Sequence, residues 1–357
     1  MKKIVLILLS SAFCCLAILA HTSIKNHEES LRQNDKKEIR FTDRGRKYDF
    51  YSPLDLKVAS SGCIYIKDMN KLLKFNPEGS FKKKVYEQIE LQGDLAGEFN
   101  FVLLENMIFI YNIIGNTITQ IDQDGNFINK YKLKSGRYNK FIGKLDDCFI
   151  FLRIIPPNNI RKSGIYDVKY IILSVSEDGK KEKEIHTFLT KRFYTSLTQG
   201  EAEMIWAHFN SVLSEDGKYL FVSNTRNYLI TLLDLEKGEI LRTFERKYKR
   251  VKYEKNKWDK EFYKLYHPPE KKFEDDILDL FINNGFLWVK TSTRNKEKGI
   301  LFDVFNFKGS YLEKSYINLK GELMAMHGDF AFAIERNIDG KFKVNMFRFK
   351  RKEQEDF

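Results

Sequence analysis

The stretch IDQDGNFINKY (121–131) is an apolar strand end, a polar turn built on one glycine, an aromatic residue and a second strand. The same design returns in FNPEGSFKKKV (75–85) and FNFKGSYLEKS (305–315). Each reads as a tight hairpin: glycine takes the positive φ a short turn needs, and the flanking alternation gives each strand one buried face. Turn glycines of this kind stand at Gly79, Gly125, Gly179, Gly238 and Gly309. Their intervals vary but are never shorter than a four-stranded unit requires. A chain that repeats such a unit buries its sheets against one another rather than against helices.

Between these turns the sequence divides into short apolar alternations. Five units carry four strands each, beginning LDLKVAS, FNFVLLE, FIGKLDD, HFNSVLSE and ILDLFIN. A sixth unit after Gly321 has three: ELMAMHG, DFAFAIE and FKVNMFRFK. Its missing strand is supplied by EIRFTD (38–43), which lies before the first unit and has no partner there. A ring closed in this way joins the termini and removes an exposed edge. The sequence therefore predicts an all-β six-bladed β-propeller over 38–357, its last blade closed by an N-terminal strand. Aromatics at 14% suit strands, and only six prolines with no Gly/Ser linker argue against an internal domain boundary.

GCIYIKDMNKLLKFNPEGSF (62–81) resembles one blade of the NHL-type and related six-bladed propellers, and LQGDLAGEFN (91–100) is similar to the glycine-rich stretch that precedes a blade in that group. NNGFLWVKTS (283–292) and ILFDVFNFKGSYLEK (300–314) resemble the fifth blade of bacterial exported propellers. The resemblance implies a binding platform and no shared chemistry, because its motifs are structural. Units three to five depart from the pattern through insertions.

Residues 1–20 (MKKIVLILLSSAFCCLAILA) pair two lysines with an apolar run, the layout of an export signal or an uncleaved anchor, and 21–37 reads as a flexible segment. Bulky Phe13 before Cys14 speaks against lipidation. An exported, periplasmic or envelope-associated chain meets no nucleic acid, and its membrane contact is confined to residues 1–20 if they are retained. Cys63 and Cys148 fall in strands of non-adjacent units and are expected to be buried free thiols. The net charge of +12 fits either solubilising lysines or an anionic partner.

The insertions have a direction. In a propeller the loop between second and third strands opens on the same face as the connection to the next blade. The long segments 155–168, 190–207, 247–276 and 293–299 all occupy such places, so they crowd one face beside units three to five. They are basic and aromatic, and 254–266 spaces Trp258, Phe262 and Leu265 as one side of a short helix. Arg246, Tyr248, Arg250, Trp258, His267 and His208 are the expected ligand contacts, with Arg pairing an anionic group and Tyr or Trp stacking. The expected partner is a protein, peptide or glycan bearing an anionic group. The competing expectation is that the rings hold the loops down and the lysines are simply solvated.

No nucleophile elbow, metalloprotease helix or phosphate loop occurs. The sequence predicts no catalytic residue, no cofactor and no metal, and the binding platform is favoured over an enzyme. DQDGN (122–126) reads as a polar turn rather than a calcium loop, and Asp275, Asp276 and Asp279 cluster at the start of an inner strand. The alternatives are a cation-dependent lactonase-like hydrolase using those acids, or a structural component of an envelope complex.

Overall fold

A computed structural model of the chain describes residues 39–88, 99–134, 136, 138–158, 160, 162–195, 203–337 and 339–349. The expected export signal or anchor at 1–20, the expected flexible segment 21–37 and most of the glycine-rich stretch 91–100 lie outside them. Six antiparallel blade sheets follow one another along the chain, with a two-stranded ribbon of Thr42–Asp43 and Arg46–Lys47 before the first; the first five run inner to outer in sequence order, and the sixth takes its outer strand from Ile39–Arg40. Their inner strands are Pro53–Val58, Phe99–Leu104, Lys140–Leu145, Asn210–Leu213, Ile277–Asn283 and Glu322–His327. Neighbouring inner strands touch, blades 3 and 4 where Gly143 approaches the Leu213 side chain, and the last touches the first, which closes the ring.

The core is divided as the ring is. Six apolar clusters each fill one gap between consecutive blades. The second strands are the most deeply buried: Ile64–Asp68 is buried at every position, because both sheet faces are covered. The outer strands Phe127–Lys132 and Glu239–Glu245 are mostly exposed, as befits a rim.

Closure uses the expected segment. Ile39–Arg40 pairs antiparallel with Phe342–Arg348, matching Ile39 with Met346 and Arg40 with Asn345. The chain then crosses to blade 1, where the Thr42 amide donates to the Gly79 carbonyl (2.9 Å) and Phe41 wedges between Phe50 and Phe75. A seam that joins first and last blades in this way makes unfolding of either a concern of both.

The short turns between first and second strands, and between third and fourth, share one face, and Gly62, Gly79, Gly125, Gly179, Gly238 and Gly309 all have positive φ there. In the 122–126 turn the Asp122 carboxylate accepts from the amides of Asp124 and Asn126 and from the Asn126 side chain, which is a polar turn as expected.

Two expectations need correction. Blade 3 is larger than its sequence pattern suggests: Gly164–Ser176 and Glu182–Tyr194 form a long hairpin that runs past the blade onto the long-loop face, and Glu203–Ile205 adds a fifth strand. Alternation at Ile165, Tyr166 and Val168 continues the pairing through residues that read as loop, because Lys169–Gly164 finds a partner in Leu189–Tyr194. Cys63 and Cys148 are free thiols but only partly buried. Both sit at the first turn of their blades, where a second strand emerges from cover.

Candidate recognition face

The connection between blades 4 and 5 is fastened down by the cations that the sequence marks as ligand contacts. The Arg246 guanidinium is paired with Asp303, a carboxylate with no exposed surface, and lies over the Tyr311 ring at 4.6 Å. Tyr228 donates its hydroxyl to the other Asp303 oxygen at 2.9 Å. Burial pushes the Asp303 carboxyl above its usual range, with Arg246 opposing. The Tyr248 hydroxyl shares hydrogen bonds with Ser292 and Thr293, and its ring packs beside Tyr228. Arg250 donates through Nε to Asp276 (3.1 Å) and through Nη2 to the Arg226 carbonyl (3.1 Å), over the Phe273 ring. These three side chains are committed to partners within the protein.

A second knot sits one blade earlier. Asp275 is buried, and its Oδ2 accepts from the His208 backbone amide (3.0 Å) and lies 2.8 Å from His208 Nδ1. Its other oxygen faces Arg226 (3.2 Å) and Lys271 (3.3 Å). Burial opposes the charge of Asp275, but these donors outweigh it and hold the carboxyl down at about 2. Trp206 lies under the Arg226 guanidinium at 5.3 Å. The knot ties the start of inner strand 4 to the start of inner strand 5. Asp275 and Asp276 thus have protein cations as partners, which leaves them little capacity to hold a metal ion. Among the described residues no group of three His, Cys, Asp or Glu side chains is arranged for a metal.

The remaining two expected contacts, Trp258 in its first turn and His267 at its C-cap, belong to a helix, Lys257–Tyr266, that agrees with the sequence reading to within a turn. Asn256 and Asp259 form a reciprocal capping box at its start, and His267 ends it in the left-handed conformation (φ 48°). None of its residues is buried. Phe262 meets Phe193 of the extended blade 3 hairpin at 6.1 Å, and the Tyr263 hydroxyl accepts the Lys271 amide. Trp258 and Leu265, seven positions apart and so on one side of the helix, point away from the blades and are 78% and 68% exposed. The expected apolar side is therefore split: one ring anchors the helix and the other two residues face out.

Sequence reasoning missed a second exposed apolar group on this same face. Tyr51, Leu54 and Met69 of blade 1 are 78%, 53% and 50% exposed. Asp68 holds them in place by accepting the amides of Tyr51 (3.1 Å) and Ser52 (2.6 Å), and the Met69 amide donates to the Ser52 carbonyl. No short-range signal marks them, because nothing in the local pattern distinguishes an exposed Tyr or Met at a turn from a core residue.

The class defined by this arrangement is a six-bladed β-propeller with one plain face of tight turns and one built-up face of pinned loops. No protein-family model matches the chain, and no curated protein matches its sequence. Solved structures do match by shape. A member of the DUF4221 family from Bacteroides vulgatus superposes with a TM-score of 0.55 at 10% identity, covering 90% of this chain and 98% of that one. A Bacteroides fragilis protein named as a candidate exported protein gives 0.49 at 11% identity, over 89% and 95% of the two chains. A gluconolactonase from Xanthomonas campestris gives 0.46 at 13% identity, over 90% and 97%. At these identities the likeness is one of fold, and the first of the three carries it.

Proposed function

We propose that the protein is an exported, non-catalytic platform that recognises a protein or peptide partner on its long-loop face. The observation that carries this reading is the exposure of Trp258, Leu265, Tyr51, Leu54 and Met69 on one face whose loops are otherwise fastened by internal ion pairs. Rigid loops bearing unsatisfied apolar anchors suit a partner that fills them at little ordering cost. The surrounding lysines, among them Lys257, Lys260 and Lys264 on the helix, favour a partner with an acidic rim. Trp258 and His267 remain outward as contacts, and His208 keeps part of its ring exposed beside Asp275. Arg246, Tyr248 and Arg250 act indirectly, by holding the face in shape. Export is supported by the charged-then-apolar run of residues 1–20, and among the described residues no helix is long and apolar enough to cross a membrane.

The test is capture from an envelope extract of the source cell by immobilised protein, comparing the parent with Trp258→Ala/Leu265→Ser and with Tyr51→Ser. The expectation is one partner retained by the parent, lost by the variants at unchanged melting temperature, and released by salt. A partner held equally by all three proteins would remove the helix and the blade 1 cluster from the binding face.

A further inference from the structure

The central channel opens on the long-loop face, where every inner strand begins, and that mouth carries charges no loop uses. Lys140 is the first residue of the blade 3 inner strand. Its amine feels Lys57 and Asp55 of blade 1 and Asp279 of blade 5 at once. Blades 1, 3 and 5 alternate around the ring, so a single side chain meets both others only by reaching into the channel. The side chain stays accessible to solvent, and the inner strands around it lower its amine through desolvation. Among the described residues Lys140 has no ion-pair or hydrogen-bond partner.

Asp279 lies across from it. It feels Lys290, its cross-strand neighbour, together with Lys140 and with Glu322, the first residue of the blade 6 inner strand. Bulges set the two acids: blades 1 and 5 are interrupted at the same place, between Pro53 and Asp55 and between Ile277 and Asp279. A bulge re-aims the residue that follows it, so the repeat delivers an acid to the same level from two blades. Burial raises the Asp279 carboxyl and lowers the Lys140 amine. Asp279 accepts the Leu280 amide at 2.8 Å but, like the Lys140 amine, has no ion-pair partner among the described residues.

We propose that the channel mouth binds a small zwitterion of amino-acid or short-peptide size, with its carboxylate on Lys140 and its ammonium on Asp279 and Glu322. The signs select this class. Lys57, Lys140 and Lys290 balance Asp55, Asp279 and Glu322, so a simple anion meets three carboxylates and a simple cation meets three amines. Only a ligand carrying both charges gains at both ends. Blades 3 and 6 stand opposite in a six-membered ring, so the positive pole at Lys140 and the negative pole at Glu322 face each other across the axis. Lys57 is already paired with Asp55 at 3.5 Å and serves as a second donor.

Titration calorimetry tests this with glycine, γ-aminobutyrate, ε-aminocaproate and glycylglycine as probes of increasing span, against acetate and methylammonium at matched ionic strength. The expected result is saturable binding of at least one zwitterion, at least about tenfold tighter than either single-charge control. Lys140→Met and Glu322→Gln each weaken it by about tenfold or more without moving the melting temperature of the free protein. If Lys140→Met folds poorly, Lys140→Gln replaces it, and the isotope-labelled methyl signal of reductively methylated Lys140 in the parent must shift with the same probe. Trp258→Ala leaves the binding unchanged, which separates this site from the partner face. No saturable binding across the series, equal binding of acetate, or full affinity in the Lys140 variants overturns the proposal.

Discussion

Removing the Arg246 guanidinium tests whether that side chain is a tether rather than a free ligand contact. Arg246→Ala leaves Asp303 buried with Tyr228 as its remaining charged-form donor. Breaking a buried pair costs about 3–5 kcal/mol, and the partial exposure of the guanidinium brings the expectation down to about 2–3 kcal/mol. The lost charge also has a pH signature. Burial already raises the Asp303 carboxyl, and Arg246 is the chief influence opposing that rise. Without it the folded-state value climbs further above the unfolded one. The native state then binds more protons than the unfolded state, so the variant loses stability as pH rises through that window and regains it as pH falls. Each unit of acidification returns up to about 1.4 kcal/mol until the carboxyl is protonated. Calorimetric melting at about pH 7.5 and about pH 5.5 reads both effects; for a propeller of about 290 residues, about 1 kcal/mol moves the midpoint by roughly 1.5 °C. The variant should melt about 3–5 °C low at the higher pH, with a smaller deficit at the lower, and Arg246→Ala/Asp303→Asn should recover most of it at both. A deficit within about 0.5 kcal/mol, or one that grows on acidification, refutes the tether.

Phe41→Ala should destabilise by about 3–5 kcal/mol in denaturant melts, because its ring is wedged at the seam between Phe50 (5.9 Å) and Phe75 (5.0 Å); a surface-like loss would show the seam to be loose. Gly321→Ala should cost more than about 2 kcal/mol, since φ is +94° and a Cβ would lie 2.2 Å from the Ile334 carbonyl oxygen; a neutral effect would contradict that close approach. Asp275 has its folded-state value depressed to about 2, so its contribution of about 2 kcal/mol is present above the ordinary carboxylate range and lost as pH falls toward that value. Asp275→Asn should therefore lie below the parent at neutral pH and converge with it in acid; parallel curves would contradict the linkage.

Much of the architecture was legible because it is written in local patterns. Period-two alternation and turn glycines placed the strands of blades 1, 2 and 5 to within a residue or two, and EIRFTD announced itself by lacking a neighbour. Loop direction followed from strand order alone. What local pattern could not carry was the pairing of distant charges. Arg246 beside rings looks the same whether it awaits a ligand or sits on Asp303, 57 residues away and fully buried. The same holds for Arg250 and Asp276, and for His208 and Asp275. The long hairpin of blade 3 escaped notice because Gly164 to Val168 mixes polar residues into its alternation, and only the facing strand settles it. The bulges before Asp55 and Asp279 leave no mark in composition, so the charges at the channel mouth emerge only from the closed ring.

The most direct measurement is photocrosslinking from single positions on the two faces. A photoreactive residue at Trp258 or Tyr51, on the built-up face, should trap the partner, while one at exposed Asp178, on the face of tight turns, should trap nothing. Adducts of equal yield from both faces, or from Asp178 alone, would contradict the assignment of recognition to the long-loop face.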